Sequence, residues 1–85
     1  MFEAIFSSAA KKILKNADSN IYDRIMKKVR ELAIDPFPKG VERVSGREEK
    51  TYRVRVGDYR ILYSVFYEKN EIAITNIDKR SRAYD

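Results

Sequence analysis

The sequence feature that most constrains the fold is a strict alternation of side chains beside one glycine. Residues 52–56 alternate aromatic or aliphatic side chains with arginines, which is typical of a strand with one buried face. Gly57-Asp58 predicts a two-residue hairpin turn, because glycine readily adopts the positive φ that such turns require. The return strand is predicted at 59–67, and a last strand at 71–78 follows a turn at 68–70. The sequence therefore predicts three consecutive antiparallel strands.

The first half of the chain has a different period. Residues 1–6 are short and apolar, which indicates a first strand. Ser7 or Ser8 can then cap a helix, because a serine hydroxyl accepts from the unpaired amides of a first helical turn. Asp18-Ser19-Asn20 can cap a second helix, whose apolar side chains recur at helical spacing. We therefore expect a single domain over 1–85 with an α+β fold of order β-α-α-β-β-β, in which an antiparallel sheet carries a helix hairpin packed on one face.

Composition excludes several classes of function. The 85 residues contain no cysteine and no histidine, which removes a disulfide scaffold, a thiol nucleophile and the usual zinc ligands. The carboxylates are scattered among basic neighbours, so we expect neither a metal site nor a cofactor. No apolar run is long enough to span a bilayer, and no signal peptide opens the chain. We therefore expect a cytoplasmic protein that does not bind membranes.

The predicted hairpin concentrates positive charge on one face of the sheet. The chain has a net charge of +5, and a two-residue turn would pair Arg55 with Arg60 and place Arg53 beside them. Like charges directly opposite on a sheet destabilise it by up to about 1 kcal/mol, so this arrangement requires an explanation. The alternate residues of the same two strands would form the core face: Tyr52, Val54, Val56, Tyr59, Ile61 and Tyr63.

Two explanations of the arginines are open at this point. Asp58, Glu48 or Glu49 could neutralise them in an ordinary surface network. Alternatively, the arginines form an anion site, because a guanidinium binds phosphate in a bidentate way and keeps its proton. A second basic segment, Lys79-Arg80-Ser81-Arg82, follows the last predicted strand and precedes Tyr84. The sheet could therefore bring this segment near the arginines.

The stretch 52–65, YRVRVGDYRILYSV, together with 79–84, KRSRAY, resembles the RelE/ParE superfamily of prokaryotic toxins, and its RelE branch in particular. The resemblance extends over nearly the whole chain. It implies a toxin of a type II toxin–antitoxin system that inhibits translation as a ribosome-dependent endoribonuclease, cutting mRNA in the ribosomal A site. The partners that follow are the ribosome, mRNA and an acidic, RelB-like antitoxin, with which the toxin would form a hetero-oligomer.

The resemblance also implies roles for individual residues. Arg60 matches the family arginine assigned to transition-state stabilisation, and Arg53 and Arg55 stand at basic positions that are commonly lysines. Arg80 matches the basic residue that ends the last strand. Tyr84 matches the C-terminal tyrosine that activates the nucleophile or stacks on a base.

Cleavage of RNA is possible without histidine or metal, because RNA supplies its own nucleophile, the 2′-OH. The protein must hold the reacting atoms in line, accept the hydroxyl proton and compensate the charge of the phosphorane. Arginine can compensate charge but cannot readily act as the base, because it stays protonated. The predicted catalytic residues are therefore Tyr84 as base, with Arg60 and Arg80 as charge stabilisers. The predicted RNA phosphate-binding residues are Arg53, Arg55, Lys79 and Arg82.

Two other functions are compatible with the sequence. A ParE-like toxin acting on DNA gyrase would keep the fold but would have no use for a phosphate-binding cluster. A non-catalytic nucleic-acid-binding module would hold its ligand without cutting it.

Overall fold

A computed structural model describes residues 1–44 and 50–79 of the chain, and this part has an α+β fold, as the sequence predicts. Its strands form one sheet in the order β1-β5-β4-β3-β2, with a short 3-10 turn, Tyr67–Lys69, between β4 and β5. The elements are β1 (Glu3–Phe6), α1 (Ser8–Asn16), α2 (Ser19–Ile34), β2 (Glu42–Val44), β3 (Thr51–Val56), β4 (Tyr59–Phe66) and β5 (Glu71–Lys79).

The sheet differs from the expected one in two respects. The short strand β2 was not predicted; it pairs antiparallel with β3 and forms one edge of the sheet. β1 forms the other edge and runs parallel to β5, whereas the remaining pairings within the described residues are antiparallel. The sheet is therefore mixed, with one parallel pair at the β1 edge.

Both helices begin at capping residues within the predicted segments. Ser7, rather than Ser8, caps α1: its Oγ accepts from the amide of Ala10 at 3.1 Å and donates to the carbonyl of Thr75 at 2.7 Å. Asp18 caps α2 by accepting from the amide of Ile21 at 2.9 Å. Caps of this kind contribute about 1 kcal/mol each. Ser7 also fixes the start of α1 to strand β5.

The core lies between the helices and one face of the sheet. The predicted core residues of the hairpin, with Tyr52 and Tyr59 half-buried, pack against the apolar stripe of α2 and three isoleucines of β5. The face of the sheet away from the helices is called the open face below. The buried core residues are Ala10, Ile25, Val29, Leu32, Val54, Val56, Ile61, Tyr63, Ile72, Ile74 and Ile77.

A β-bulge in β5 determines which side chains reach each face. Ile74 pairs with Tyr63, but the next pair in the ladder joins Asn76 to Leu62, so Thr75 is an extra residue. The Thr75 hydroxyl donates to the carbonyl of Leu62 at 3.2 Å. The extra residue lets Ile77 reach the core although it lies three positions after Ile74, because a bulge shifts the alternation by one.

Tyr63 connects the core to the loop that follows α2. Its ring is fully buried, and its hydroxyl donates to the carbonyl of Pro36, which is also buried. Burial raises the pKa of the Tyr63 phenol well above its ordinary value, so the hydroxyl keeps its proton and remains a donor. This hydrogen bond holds the loop between α2 and β2 against β4.

Tyr63→Phe should lower the free energy of unfolding by about 1–3 kcal/mol, because the buried Pro36 carbonyl loses its donor. Urea denaturation followed by circular dichroism measures the change. Tyr67→Phe is the matched control, because Tyr67 is 66% exposed and its substitution should change stability by less than about 0.5 kcal/mol. Equal effects of the two substitutions would show that the hydrogen bond does not stabilise the fold.

Candidate phosphate-binding site

The β3–β4 hairpin brings three arginines together on the open face. Arg55 pairs directly with Arg60, and Arg53 pairs with Leu62 in the next open-face row of the ladder, so the predicted register is confirmed. Paired residues on antiparallel strands share a face and have Cα atoms about 4.5–5.5 Å apart. Arg53, Arg55 and Arg60 are called the arginine cluster below.

The three members of the cluster differ in exposure. Arg55 is exposed, whereas Arg53 and Arg60 are half-buried. The Nε of Arg60 is buried and has no hydrogen-bond partner among the described residues. A buried donor without a partner costs about 1–3 kcal/mol, and such a group in a folded protein requires an explanation. Arg60 therefore has hydrogen-bonding capacity that the described part of the chain does not use.

A carboxylate from the edge strand β2 contacts the cluster. Glu42 of β2 pairs with Arg53 in the sheet, and its Oε1 lies 3.6 Å from Nη2 of Arg53. Glu42 is 67% exposed, so this ion pair is weak, worth less than about 1 kcal/mol. Asp58, one of the three carboxylates that could have neutralised the arginines, forms no ion pair within 1–44 and 50–79, and Glu48 and Glu49 lie outside the described residues.

A second carboxylate is brought near the cluster by the bulge in β5. Asp78 pairs with Arg60 across β4 and β5, so the two residues share the open face. Among the described residues, no ion pair joins them. Neither Glu42 nor Asp78 could have been identified from the sequence, because β2 has only three residues and the bulge shifts the alternation of β5.

The structure does not bring Lys79 to the arginine cluster. Lys79 is exposed and pairs with Tyr59, whose side chain packs against the core, so Lys79 belongs to the helix side of the sheet. Lys79 can therefore contact a phosphate only from the helix side of the hairpin. Arg80, Arg82 and Tyr84, the remaining predicted site residues, lie outside the described residues.

The chemistry of the site is that of a guanidinium cluster. Guanidiniums donate several hydrogen bonds to the oxygens of a phosphodiester and keep their charge at every physiological pH. Within the described part of the chain, no group of three or more acidic side chains could hold a metal ion. The same residues include no helix that is long and apolar enough to cross a membrane.

Comparisons with known proteins agree with this fold. Residues 4–84 match the family model described as the ParE toxin of the type II toxin–antitoxin system parDE. The chain is 32% identical to "Putative toxin RelE1" of Methanocaldococcus jannaschii over 76 residues. This alignment covers 86% of this chain and 83% of that protein.

Solved structures give the same result. The archaeal RelE–RelB complex from Pyrococcus horikoshii contains a chain with a TM-score of 0.82 and 27% identity, covering 95% of this chain and 97% of that one. The isolated RelE toxin of E. coli has the same fold, with a TM-score of 0.80 and 23% identity over 99% of this chain and 92% of that one. Because the family model spans nearly the entire sequence, the chain belongs to the RelE/ParE superfamily of toxins from type II toxin–antitoxin systems.

Proposed function

We propose that this toxin is a ribosome-dependent, metal-independent endoribonuclease that cuts mRNA and so inhibits translation. The observation that carries the proposal is the pairing of Arg60 with Arg55 on the open face, with the Nε of Arg60 buried and unpartnered among the described residues. Two adjacent guanidiniums destabilise a sheet. A phosphodiester bound between them would compensate that repulsion and accept hydrogen bonds from both.

The proposed reaction uses the RNA itself as nucleophile. The 2′-oxygen attacks the adjacent phosphorus, its proton passes to a base, and the bond to the 5′-oxygen breaks. The leaving oxygen takes up a proton, and the products are a 2′,3′-cyclic phosphate and a 5′-hydroxyl end. Negative charge accumulates on the non-bridging oxygens of the phosphorane, which is where preorganised donors lower the barrier most.

The roles of the residues follow from this chemistry. Arg60 and Arg80 stabilise the phosphorane, and Tyr84 accepts the proton of the 2′-OH. Arg53, Arg55, Lys79 and Arg82 contact RNA phosphates. Arg60 is the best placed of the described residues for the stabilising role, because its partly buried stem restricts the guanidinium before the substrate arrives.

Dependence on the ribosome follows from what the chain lacks. The sequence contains no histidine, which is the side chain whose ordinary pKa is closest to neutrality. Much of the rate must therefore come from RNA that is already held with the 2′-oxygen, phosphorus and 5′-oxygen in line. The ribosomal A site would supply that geometry, and the purified toxin should cut naked RNA only slowly. This function places the protein in the cytoplasm.

We also propose an acidic antitoxin as partner. The chain has a net charge of +5, and solved relatives include RelE–RelB complexes from Pyrococcus horikoshii and E. coli. A RelB-like segment with complementary charge would cover the arginine cluster in a toxin–antitoxin hetero-oligomer. Because this attraction is electrostatic, added salt should accelerate dissociation and slow association.

A second candidate function is that of a ParE-like toxin acting on DNA gyrase, because residues 4–84 match the ParE toxin family model. A gyrase-directed toxin needs no phosphodiester-cleaving cluster. Loss of Arg60 separates the two functions, because it strongly reduces RNA cleavage in one case and leaves toxicity intact in the other.

Arg60→Ala should reduce cleavage of mRNA by about 10²–10³-fold, because a preorganised donor to the transition state is lost. Primer extension on mRNA from an in vitro translation reaction measures the cleavage. Arg43→Ala is the matched control, because Arg43 is exposed and pairs with Tyr52, away from the open face. Retained toxicity of Arg60→Ala in cells, with inhibition of DNA supercoiling by the purified protein, would establish the gyrase function instead.

Glu42→Gln should increase RNA binding about threefold, because Arg53 is released from its carboxylate partner. The measurement is a fluorescence anisotropy titration with a 2′-O-methyl oligonucleotide, which lacks the nucleophilic hydroxyl and is not cut. Glu68→Gln is the matched control, because it makes the same change of charge on the exposed turn after β4, at the end of that strand opposite to Arg60. It should leave RNA binding unchanged. If both substitutions had the same effect, Arg53 would not be a phosphate ligand.

A further inference from the structure

An arginine of the helix layer reaches the turn of the β3–β4 hairpin. Arg24 lies in α2, and its guanidinium packs on the backbone of Gly57, which has a φ of +58°. A Cβ at position 57 would be 3.0 Å from Nη2 and 3.2 Å from Nη1 of Arg24. Glycine at the turn therefore allows this close approach as well as the positive φ.

The charge of Arg24 is not neutralised by the described residues. Its side chain is exposed, and it forms no ion pair within residues 1–44 and 50–79. The neighbouring carboxylates are Asp23 on the same helix and Asp58 in the turn, and neither lies within ion-pair distance of Arg24. Arg24 is thus a cation that lies against the hairpin turn and has no carboxylate partner in 1–44 and 50–79.

Arg24 extends the positive surface around the end of the hairpin. Arg55 and Arg60 lie on the open face, one ladder pair from the turn, whereas Arg24 reaches the same turn from the helix side. Lys79 also belongs to the helix side, because it pairs with Tyr59, the residue that follows the turn. Cations therefore lie on both sides of one two-residue turn.

We propose that Arg24 binds a phosphate of the RNA strand next to the one that is cut, so that the substrate passes over the hairpin turn. The proposal rests on the proposed function, since it assumes that the arginine cluster holds the scissile phosphate. A nucleic acid strand fits this surface better than an acidic peptide, because its charges repeat at regular intervals and can contact both sides of the turn. Arg24 contributes to binding, and the chemical step takes place on the open face.

The test compares substitutions that separate charge from packing. Arg24→Met removes the charge and keeps a long side chain, and Arg24→Gln is a second neutral variant. Arg24→Lys keeps the charge. Arg30→Met is the matched control, because Arg30 is another exposed arginine of α2 that lies almost two turns further along the helix. Circular dichroism melts establish that each variant is folded.

The first measurement is binding of a fluorescein-labelled, single-stranded 2′-O-methyl oligonucleotide over a series of salt concentrations. Arg24→Met and Arg24→Gln should weaken binding about 3–10-fold, and the slope of log K against log salt should decrease in magnitude by about 0.7, which corresponds to one lost phosphate contact. Arg24→Lys should retain the slope, and Arg30→Met should match the wild type. Equal binding by Arg24→Met and Arg30→Met, or no binding by the wild type, would overturn the proposal.

The second measurement is mRNA cleavage during in vitro translation. Arg24→Met should raise the half-saturating concentration of ribosomes about 3–10-fold and leave the maximal rate within about twofold, whereas Arg60→Ala lowers the maximal rate. If the wild type cut no RNA, the proposed function would fail, and the oligonucleotide titration would still decide the role of Arg24. Weaker antitoxin binding by Arg24→Met with unchanged RNA binding would assign Arg24 to the protein partner and overturn the proposal.

Discussion

The two-residue turn at Gly57-Asp58 is the constraint on which the remaining structure depends. It fixes the pairing of β3 with β4, and that pairing sends Val54, Val56 and Ile61 to the helices and the arginines to the open face. Because side chains alternate along a strand, a shift of the register by one residue would exchange the two faces. Core and candidate site are therefore specified by the same turn, and neither can be changed without the other.

This coupling explains how the fold tolerates its arginine cluster. The repulsion between Arg55 and Arg60 costs up to about 1 kcal/mol, and the Nε of Arg60, which has no partner among the described residues, adds a cost of the same order. On the reverse side of the same strands, Ile61 and Tyr63 are completely buried, and each such side chain contributes about 1.5–3 kcal/mol. The core face thus offsets the destabilisation that the open face introduces.

Local patterns predicted the hairpin, its register and the caps of both helices, because those features depend on neighbouring residues. The features that were missed depend on tertiary contacts. β2 has three residues, too few to show a period, and it exists through its pairing with β3. The bulge at Thr75 follows from the requirement that Ile77 reach the core. The contact of Arg24 with Gly57 joins residues 33 positions apart, so the local spacing of side chains in the sequence could not predict it.

The two carboxylates near the cluster give the proposed enzyme a physical reason to need the ribosome. Glu42 contacts Arg53, and Asp78 shares the open face with Arg60, so the local net charge is smaller than three arginines would give. Ground-state attraction for RNA is reduced accordingly. Hydrogen bonds from the Arg60 guanidinium would still stabilise the transition state, because the phosphorane carries more negative charge than the substrate. If the proposed function is correct, such a site would bind free RNA weakly and act on RNA that a larger assembly delivers in line.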